Sequence, residues 1–145
     1  MAEKLFHIGV KAMIENQQGQ LLLFEENVNH THSLPTTPYW DFAGGRIDED
    51  DADVLATLAR EIQEETGITE IASATFFSSV ISNHKIKLSD GKIIGLALMI
   101  YRVKLKPNAK FIILSDEHVR YEWVDRKDAK QRLSHKYPVE FTELL

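Results

Sequence analysis

Short apolar runs and alternating apolar positions make up most of the chain, and this pattern predicts more strand than helix. Residues 6–14 and 21–24 are two such runs, separated by Asn16-Gln17-Gln18-Gly19, which predicts two strands joined by a turn in a hairpin-like arrangement. Residues 39–43 form an aromatic run that predicts a short strand ending at Gly44-Gly45. Because glycine adopts conformations that other residues avoid, the backbone there is able to turn sharply or to approach a ligand closely.

One segment has a clear helical pattern. Residues 52–65 contain neither proline nor glycine, and their apolar side chains recur at helical spacing. Asp50 or Asp51 is the predicted cap of the first turn, because a carboxylate there accepts hydrogen bonds from free backbone N–H groups. Gly67 lies where a left-handed residue commonly ends a helix. The sequence therefore predicts a helix with a marked boundary at each end.

The remaining elements complete an α/β pattern. Apolar, β-branched and aromatic residues predict strands at residues 71–81, 93–105 and 121–124, the first two separated by a turn at Ser89-Asp90-Gly91. Helices are predicted at residues 125–133 and 139–145, with Pro138 near the first turn of the last one. Residues 27–38 lack periodicity and predict a surface loop long enough to border a site. We expect a mixed sheet flanked by helices.

Composition narrows the classes of protein. A chain of 145 residues, 43% hydrophobic and 27% charged, predicts one globular domain spanning residues 1–145. The chain has no cysteine, which removes thiol nucleophiles and cysteine-based zinc sites. His30 and His32 form a His-X-His pair, but without a further ligand at metal-binding spacing we expect a solvated loop there.

Charge and hydropathy patterns bear on partners and location. The formal charge of −5 disfavours a nucleic-acid polymer as partner, because such binding gains most of its free energy from lysine and arginine. A small anionic substrate is still allowed if a bound cation reverses the negative electrostatic field at the site. No apolar run approaches the roughly eighteen residues that span a bilayer, so no membrane partner is expected. The N-terminal residues show no secretion signal, and a cytoplasmic location is the expectation.

Three glutamates of the predicted helix point to metal chemistry. Glu61, Glu64 and Glu65 stand at positions i, i+3 and i+4, so their carboxylates project from one helix face. Crowding of like charges costs stability, and a divalent cation would compensate for it. Magnesium is usually held by a few carboxylates, waters and the phosphates of its substrate. An acidic helix face alone is most often a solvated surface, so the surrounding residues decide between the two interpretations.

The order of motifs around these glutamates favours the metal site. Gly44-Gly45 follow the aromatic strand, an acidic loop comes next, and the helix ends in Arg60-Glu61-Ile62-Gln63-Glu64-Glu65-Thr66-Gly67-Ile68. This run resembles the signature of the Nudix hydrolase family (MutT-like), and residues 60–68 match its last part without exception. The resemblance implies the family's α/β/α sandwich with a mixed β-sheet. It also implies hydrolysis of a diphosphate linkage in a nucleoside-diphosphate-type substrate.

The resemblance assigns roles to individual residues. It implies that Glu61, Glu64 and Glu65 bind the metal and take part in catalysis, with the backbone carbonyl of Gly44 as a further ligand. The implied metal is Mg²⁺, with Mn²⁺ as a possible substitute. Arg60 matches the signature arginine, which orients a glutamate by a charge-assisted hydrogen bond. Water would attack a phosphorus atom of the diphosphate without a covalent intermediate.

The sequence departs from the family pattern at one place and leaves one role open. The acidic loop is one residue longer than in the family, so Asp51, Asp50 and Glu49 are alternatives for the signature's first glutamate. Relatives often recruit another acidic residue from a loop beyond the sheet as metal ligand or general base. Glu117 is the prediction for that role, and Glu122 is the poorer alternative because it lies within a predicted strand.

The exact substrate follows less directly. Secondary marks of the dinucleoside polyphosphate, ADP-ribose, coenzyme A and NADH subfamilies are missing, which favours a nucleoside triphosphate, ordinary or oxidised, over another small diphosphate. The alternative is a non-catalytic nucleotide-binding sensor or regulatory module of the same fold, although such proteins tend to lose signature carboxylates that are present here. A prenyl diphosphate isomerase is disfavoured by the short chain and the lack of cysteine. Homodimers are common among similar proteins, so a homodimer is possible.

Overall fold

The computed structural model describes residues 2–29, 33–34, 37–110 and 112–145. His30 and His32 lie outside the described residues, as does part of the predicted loop at residues 27–38. The strands and helices, in chain order, are β1 (Phe6–Ile14), β2 (Leu21–Glu26), β3 (Ser33–Leu34), β4 (Trp40–Asp41), β5 (Ala43–Arg46), α1 (Val54–Thr66), β6 (Ile71–Lys87), β7 (Ile93–Leu105), β8 (His118–Val124), α2 (Arg126–Leu133) and α3 (Val139–Thr142).

The strands form two sheets. The larger sheet has five strands in the order β3-β6-β7-β1-β5 and is mixed, because β1 runs parallel to β7 and antiparallel to β5. The smaller sheet has three antiparallel strands in the order β4-β2-β8. One hydrophobic core includes residues of α1 and the other includes residues of α2 and α3. The predicted mixed sheet with flanking helices is confirmed.

The predicted hairpin of the first two strands is wrong. β1 and β2 lie in different sheets and share one isolated bridge, between Glu15 and Leu21. Burial explains the separation, because Leu21 and Leu23 belong to one core whereas Leu22 and Phe24 belong to the other. A strand that is apolar on both faces lies between two buried layers.

The predicted single strand at residues 39–43 is two strands. β4 pairs with β2 and β5 pairs with β1, so the chain passes from one sheet to the other at Phe42. The Phe42 N–H donates to the Asp41 carboxylate at 2.8 Å and thereby stays satisfied outside a strand ladder. β5 contains both glycines and continues to Arg46, rather than ending at the glycine pair. This crossing brings Asp41 and the glycines to the junction of the two sheets.

The predicted helix is confirmed as α1, with one correction at its start. The N-cap is Asp53, whose side chain accepts a hydrogen bond from the Ala56 N–H at 2.8 Å, and not Asp50 or Asp51. Gly67 ends the helix with a left-handed φ of 74°, as predicted.

One face of α1 carries both core residues and carboxylates. Leu58 and Ile62 are fully buried, and Glu61 and Glu65 lie on the same buried face. Leu55 is instead 49% exposed, so the apolar stripe is narrower than the sequence pattern predicts. The packing of α1 therefore carries two acidic side chains into the interior.

Several other boundaries differ from the sequence prediction. β6 extends to Lys87 and β8 begins at His118, so both strands are longer than predicted. The last helix, Val139–Thr142, is shorter. Gly91 has a φ of 87° in the turn between β6 and β7, which confirms that turn. Among the described residues, no helix is both long and apolar enough to span a membrane.

Candidate active site

A cleft of about 870 Å³ opens beside α1, β1 and β5. Its lining includes three groups of residues that differ in chemistry. The acidic side includes Glu26, Glu61, Glu65 and Glu117. The lysine cluster consists of Lys11, Asp41 and Lys136. The apolar wall consists of Ile86, Leu96 and Leu98. A cation at the acidic side, together with a ligand that carries an apolar ring system, would match this division.

The glycine pair of β5 packs directly against the carboxylates of α1. Gly44 has a φ of 147°, and its N–H donates to Oε2 of Glu65 at 2.9 Å. A Cβ at Gly44 would overlap the backbone carbonyl of Val10, and a Cβ at Gly45 would overlap the carboxylate of Glu61. Only glycine allows the strand and the helix to approach each other this closely.

Arg60 connects the acidic loop to α1. Its Nε and Nη2 donate to Asp51 at 2.9 Å each, and its Nη1 lies 3.0 Å from Glu61 and 3.2 Å from Glu64. The hydrogen bond from Arg60 holds the pKa of Asp51 well below its usual range. Of the three alternatives for the signature's first glutamate, Asp51 thus pairs with the arginine, whereas Glu49 lines the cleft.

Burial makes the negatively charged forms of Glu61 and Glu65 unfavourable. Burial raises the pKa of Glu65 well above its usual value, and the nearby Lys11 and the Gly44 N–H offset this rise only in part. Burial also raises the pKa of Glu61, against the opposing effect of Arg60. Carboxylates held away from water without enough compensating charge cost free energy. A cation in the cleft would lower that cost.

In the lysine cluster, one aspartate holds two lysines. Oδ2 of Asp41 lies 2.8 Å from Nζ of Lys11 and 2.6 Å from Nζ of Lys136. Oδ1 accepts hydrogen bonds from the Tyr137 hydroxyl and the Phe42 N–H. Burial alone would raise the pKa of Asp41, but the two lysines reverse that effect and lower it. Four donors saturate the carboxylate, which makes Asp41 an anchor for both lysines.

A histidine links the smaller sheet to α1. Nε2 of His118 lies 3.2 Å from Glu26 and 3.7 Å from Glu65, and its ring stacks on Phe24 with a centroid distance of 4.5 Å. The side chains of β2, β8 and α1 therefore meet behind the acidic side of the cleft.

The structure brings most of the predicted site residues to this cleft. Those that line it are Gly44, Arg60, Glu61, Glu65 and Glu117. Glu64 does not line it, since its side chain is 57% exposed and paired with Arg60. Glu122 also lies elsewhere and pairs with Arg132 at 2.9 Å. Within the described ranges, no group of three or more histidine or acidic side chains is arranged to hold a metal ion.

Comparison with known proteins decides the family. The family model of the NUDIX domain matches residues 5–145, nearly the whole chain. The chain belongs to the Nudix family. It is a Nudix hydrolase with the Nudix α/β/α fold, which confirms the family and fold that the glycine pair and residues 60–68 indicated. No protein of curated function matches the chain.

Solved structures of similar proteins agree with this assignment. The MutT protein of Methanosarcina mazei is 27% identical with a TM-score of 0.63, and the match covers 99% of this chain and 92% of that one. The ORF135 protein of E. coli is 26% identical with a TM-score of 0.57, covering 97% and 85%. The Ap4A hydrolase of C. elegans shares the fold at 19% identity and a TM-score of 0.62, covering 95% and 91%.

The lysine cluster of this Nudix hydrolase was not predicted from the sequence. Two of its members carry a signal in hindsight, because Lys11 interrupts an apolar strand and Asp41 stands between two aromatic residues. A charged residue inside an apolar run is either paired in the interior or part of a site. Lys136 carries no such signal, since it lies in the polar link between α2 and α3.

Proposed function

We propose that this Nudix hydrolase cleaves a diphosphate linkage of a nucleoside triphosphate, ordinary or oxidised, in a reaction that requires Mg²⁺ or, as a substitute, Mn²⁺. The observation that carries the proposal is the meeting of Glu61, Glu65 and Glu117 with the Gly44-Gly45 pair at one cleft. Similar structures bear the names MutT, Ap4A hydrolase and dihydroneopterin triphosphate pyrophosphohydrolase, which supports a substrate with a phosphate chain. The net charge of −5 supports a small molecule over a nucleic-acid polymer.

The residues at the cleft fit a hard divalent cation. Every candidate ligand is an oxygen, from the carboxylates of Glu61, Glu64 and Glu65 and the backbone carbonyl of Gly44. The raised pKa values of the two buried glutamates indicate that Arg60 and Lys11 compensate for their negative charge only in part. Glu64 contributes from the same helix face by its spacing, although it is paired with Arg60 in this structure. These four groups are the ones we assign to Mg²⁺.

Individual residues of the protein have separate roles in the proposed reaction. When bound, Mg²⁺ stabilises charge on the phosphoryl oxygens and lowers the pKa of a bound water. The carboxylate of Glu117, at the border of the cleft, accepts the proton of the attacking water. The water oxygen forms a bond to phosphorus as the bond to the bridging oxygen breaks. Arg60 keeps Glu61 in place, and the Gly44 N–H does the same for Glu65.

Replacing Glu117 tests the assignment of the base. Glu117→Gln removes the proton acceptor but leaves a side chain of the same size, and general-base catalysis contributes roughly 10²–10⁴-fold. We expect kcat to fall by about that factor, with the acidic limb of the pH–rate profile altered. Glu122→Gln is the matched control, because Glu122 pairs with Arg132 outside the cleft. Unchanged kinetics in Glu117→Gln would remove this residue from the reaction.

The overall activity is tested with a substrate panel. Phosphate and pyrophosphate release, the latter read through added pyrophosphatase, is measured on nucleoside triphosphates, ADP-ribose and dinucleoside polyphosphates, with Mg²⁺ and with excess chelator. We expect Mg²⁺-dependent release from nucleoside triphosphates. Release from ADP-ribose or a dinucleoside polyphosphate alone would replace the substrate class. Nucleotide binding without release from any compound would favour the sensor alternative.

A further inference from the structure

Lys11 and Lys136 offer unused hydrogen-bond donors to the cleft. Both line it, yet they are only 6% and 4% exposed. A lysine ammonium has three N–H donors. In the part of the chain that the structure describes, the hydrogen-bonding partner of each Nζ is Oδ2 of Asp41. Each lysine therefore retains donors for a ligand, and buried donors without an acceptor cost free energy.

The two ammonium groups are held in fixed positions. Asp41 anchors both from one side. The backbone of Lys136 is tied to β6, because its carbonyl accepts hydrogen bonds from the Ser82 hydroxyl and the Asn83 N–H, both at 2.8 Å. Since four donors already saturate Asp41, that carboxylate offers no acceptor to a ligand. The lysine cluster thus presents donors in a fixed arrangement, which is a requirement for selective recognition.

The surface beside these donors is apolar. Gly9 stands two residues before Lys11 on β1, so both positions face the same side of the sheet. A Cβ at Gly9 would lie 2.9 Å from Leu98 and 3.7 Å from Leu96, which shows that these leucines cover the glycine. An apolar surface suits the face of a planar ring and does not suit a phosphate. The donors and the apolar wall together match a nucleobase.

We propose that Lys11 and Lys136 read the base of the nucleotide and select an edge with two adjacent hydrogen-bond acceptors; this rests on the proposed function. Guanine presents O6 and N7 as acceptors, and cytosine presents O2 and N3. Adenine places an N6–H donor beside N7, and thymine places its N3–H between its two carbonyls. Guanine oxidised at C8 carries a hydrogen on N7, and this donor separates its O6 and O8 acceptors, so the adjacent pair is lost. The site therefore favours guanine and cytosine over adenine, thymine and C8-oxidised guanine.

Wild-type protein gives the first test. We expect kcat/KM for dGTP and dCTP to exceed that for dATP, dTTP and 8-oxo-dGTP by about tenfold or more, since a correct bidentate contact discriminates by about 10- to 100-fold. Equal values for the five nucleotides, or a preference for 8-oxo-dGTP over dGTP, would overturn the proposal.

Two variants of Lys136 give the second test. Lys136→Met keeps an unbranched side chain of nearly the same length but without donors, and it should lower kcat/KM about tenfold or more for dGTP and dCTP, but little for dATP and dTTP. Lys136→Gln places an amide at this position, which has an acceptor as well as donors. This variant should therefore show a smaller preference for dGTP over dATP. Lys130→Met is the matched control, because Lys130 is exposed on α2 and does not line the cleft. Thermal unfolding followed by circular dichroism shows whether each variant is folded.

The outcomes separate the base from the phosphates and from the proposed hydrolysis. An equal loss for all nucleotides in Lys136→Met would mean that the lysines bind phosphate, which overturns base reading. If no nucleotide is hydrolysed, the proposed function fails, but calorimetric binding of the same nucleotides still decides between base-dependent and base-independent affinity. If both Lys136 variants fail to fold, the wild-type preference decides alone.

Discussion

Carboxylates in the same cleft have very different environments. Asp41 accepts four hydrogen bonds, two of them from lysines, and these lysines lower its pKa. Glu61 and Glu65 are also nearly buried, but burial outweighs the favourable contacts and raises the pKa of each. A carboxylate that is fully satisfied holds other groups in place, whereas one that is not satisfied attracts a cation. This contrast separates the anchor from the proposed metal ligands.

Glu64 is the residue whose predicted role the geometry supports least, so replacing it is informative. Glu64→Gln removes one charge from a side chain that is 57% exposed and makes no core contact. We expect the melting temperature to stay unchanged and kcat to fall by about 100-fold or more, because loss of a metal-binding charge acts on the reaction and not on the fold. Steady-state kinetics and thermal unfolding measure the two effects.

The control for Glu64 is another exposed glutamate that does not line the cleft. Glu140→Gln, on α3, changes the net charge equally and should leave kcat as it is. Wild-type turnover in Glu64→Gln would contradict the assignment of Glu64 as a ligand.

At the scale of elements, the contact between α1 and β5 determines the geometry of the site. Gly45→Ala would push a methyl group into the Glu61 carboxylate, so either the strand or the helix must shift. A displacement of about 1 Å at a catalytic group costs roughly 100-fold in rate. We expect kcat/KM to fall by about that factor.

Gly91→Ala is the matched control, because the space around Gly91 is open. Since Gly91 has a left-handed φ of 87°, we expect this variant to lose about 1 kcal/mol of stability but to keep its kinetics. Normal kinetics in Gly45→Ala would show that the close approach is not needed.

The contact between β6 and the link that follows α2 predicts a pH dependence of stability. His84 is fully buried and its Nε2 lies 2.7 Å from Nδ1 of His135. Burial, with Lys136 and His135 nearby, lowers the pKa of His84 to about 4. In the unfolded chain a histidine titrates near pH ~6.5. As the pH falls from 6.5 towards 4, the unfolded chain therefore binds a proton that the folded protein does not, and stability is lost.

Replacing this histidine should remove that loss. Between pH 7 and pH 5 we expect the unfolding free energy of His84→Asn to decrease by about 1–2 kcal/mol less than that of the wild type. Urea unfolding at the two pH values measures this difference. Because the unfolding free energy at pH 5 is compared with that at pH 7 in the same protein, any pH-independent loss of stability caused by the substitution cancels. Equal decreases in both proteins would show that His84 does not titrate as its burial implies.

Over the whole molecule, features that depend on local contacts could be predicted from the sequence better than features that depend on contacts between distant residues. The α1 helix and its C-terminal Gly67 depend on contacts within about one helix and one turn, and both could be predicted. The separation of β1 and β2 into two sheets depends on burial against distant strands, which periodicity within one run does not encode. Lys136 meets Asp41 across 95 residues for the same reason.

Metal-dependent hydrolysis at the cleft is tested most directly by the rate of nucleoside triphosphate hydrolysis as a function of Mg²⁺ concentration, in wild type and in Glu61→Gln. Glu61 lies against Gly45 and beside Arg60 at the cleft, and we propose that it binds the metal that the reaction needs. We expect a saturating Mg²⁺ dependence in the wild type and no hydrolysis with excess chelator. In Glu61→Gln we expect a rate lower by about 100-fold or more, which added Mg²⁺ does not fully restore. Hydrolysis that persists in chelator, or wild-type rates in a folded Glu61→Gln protein, would rule out this role for Glu61 and the metal.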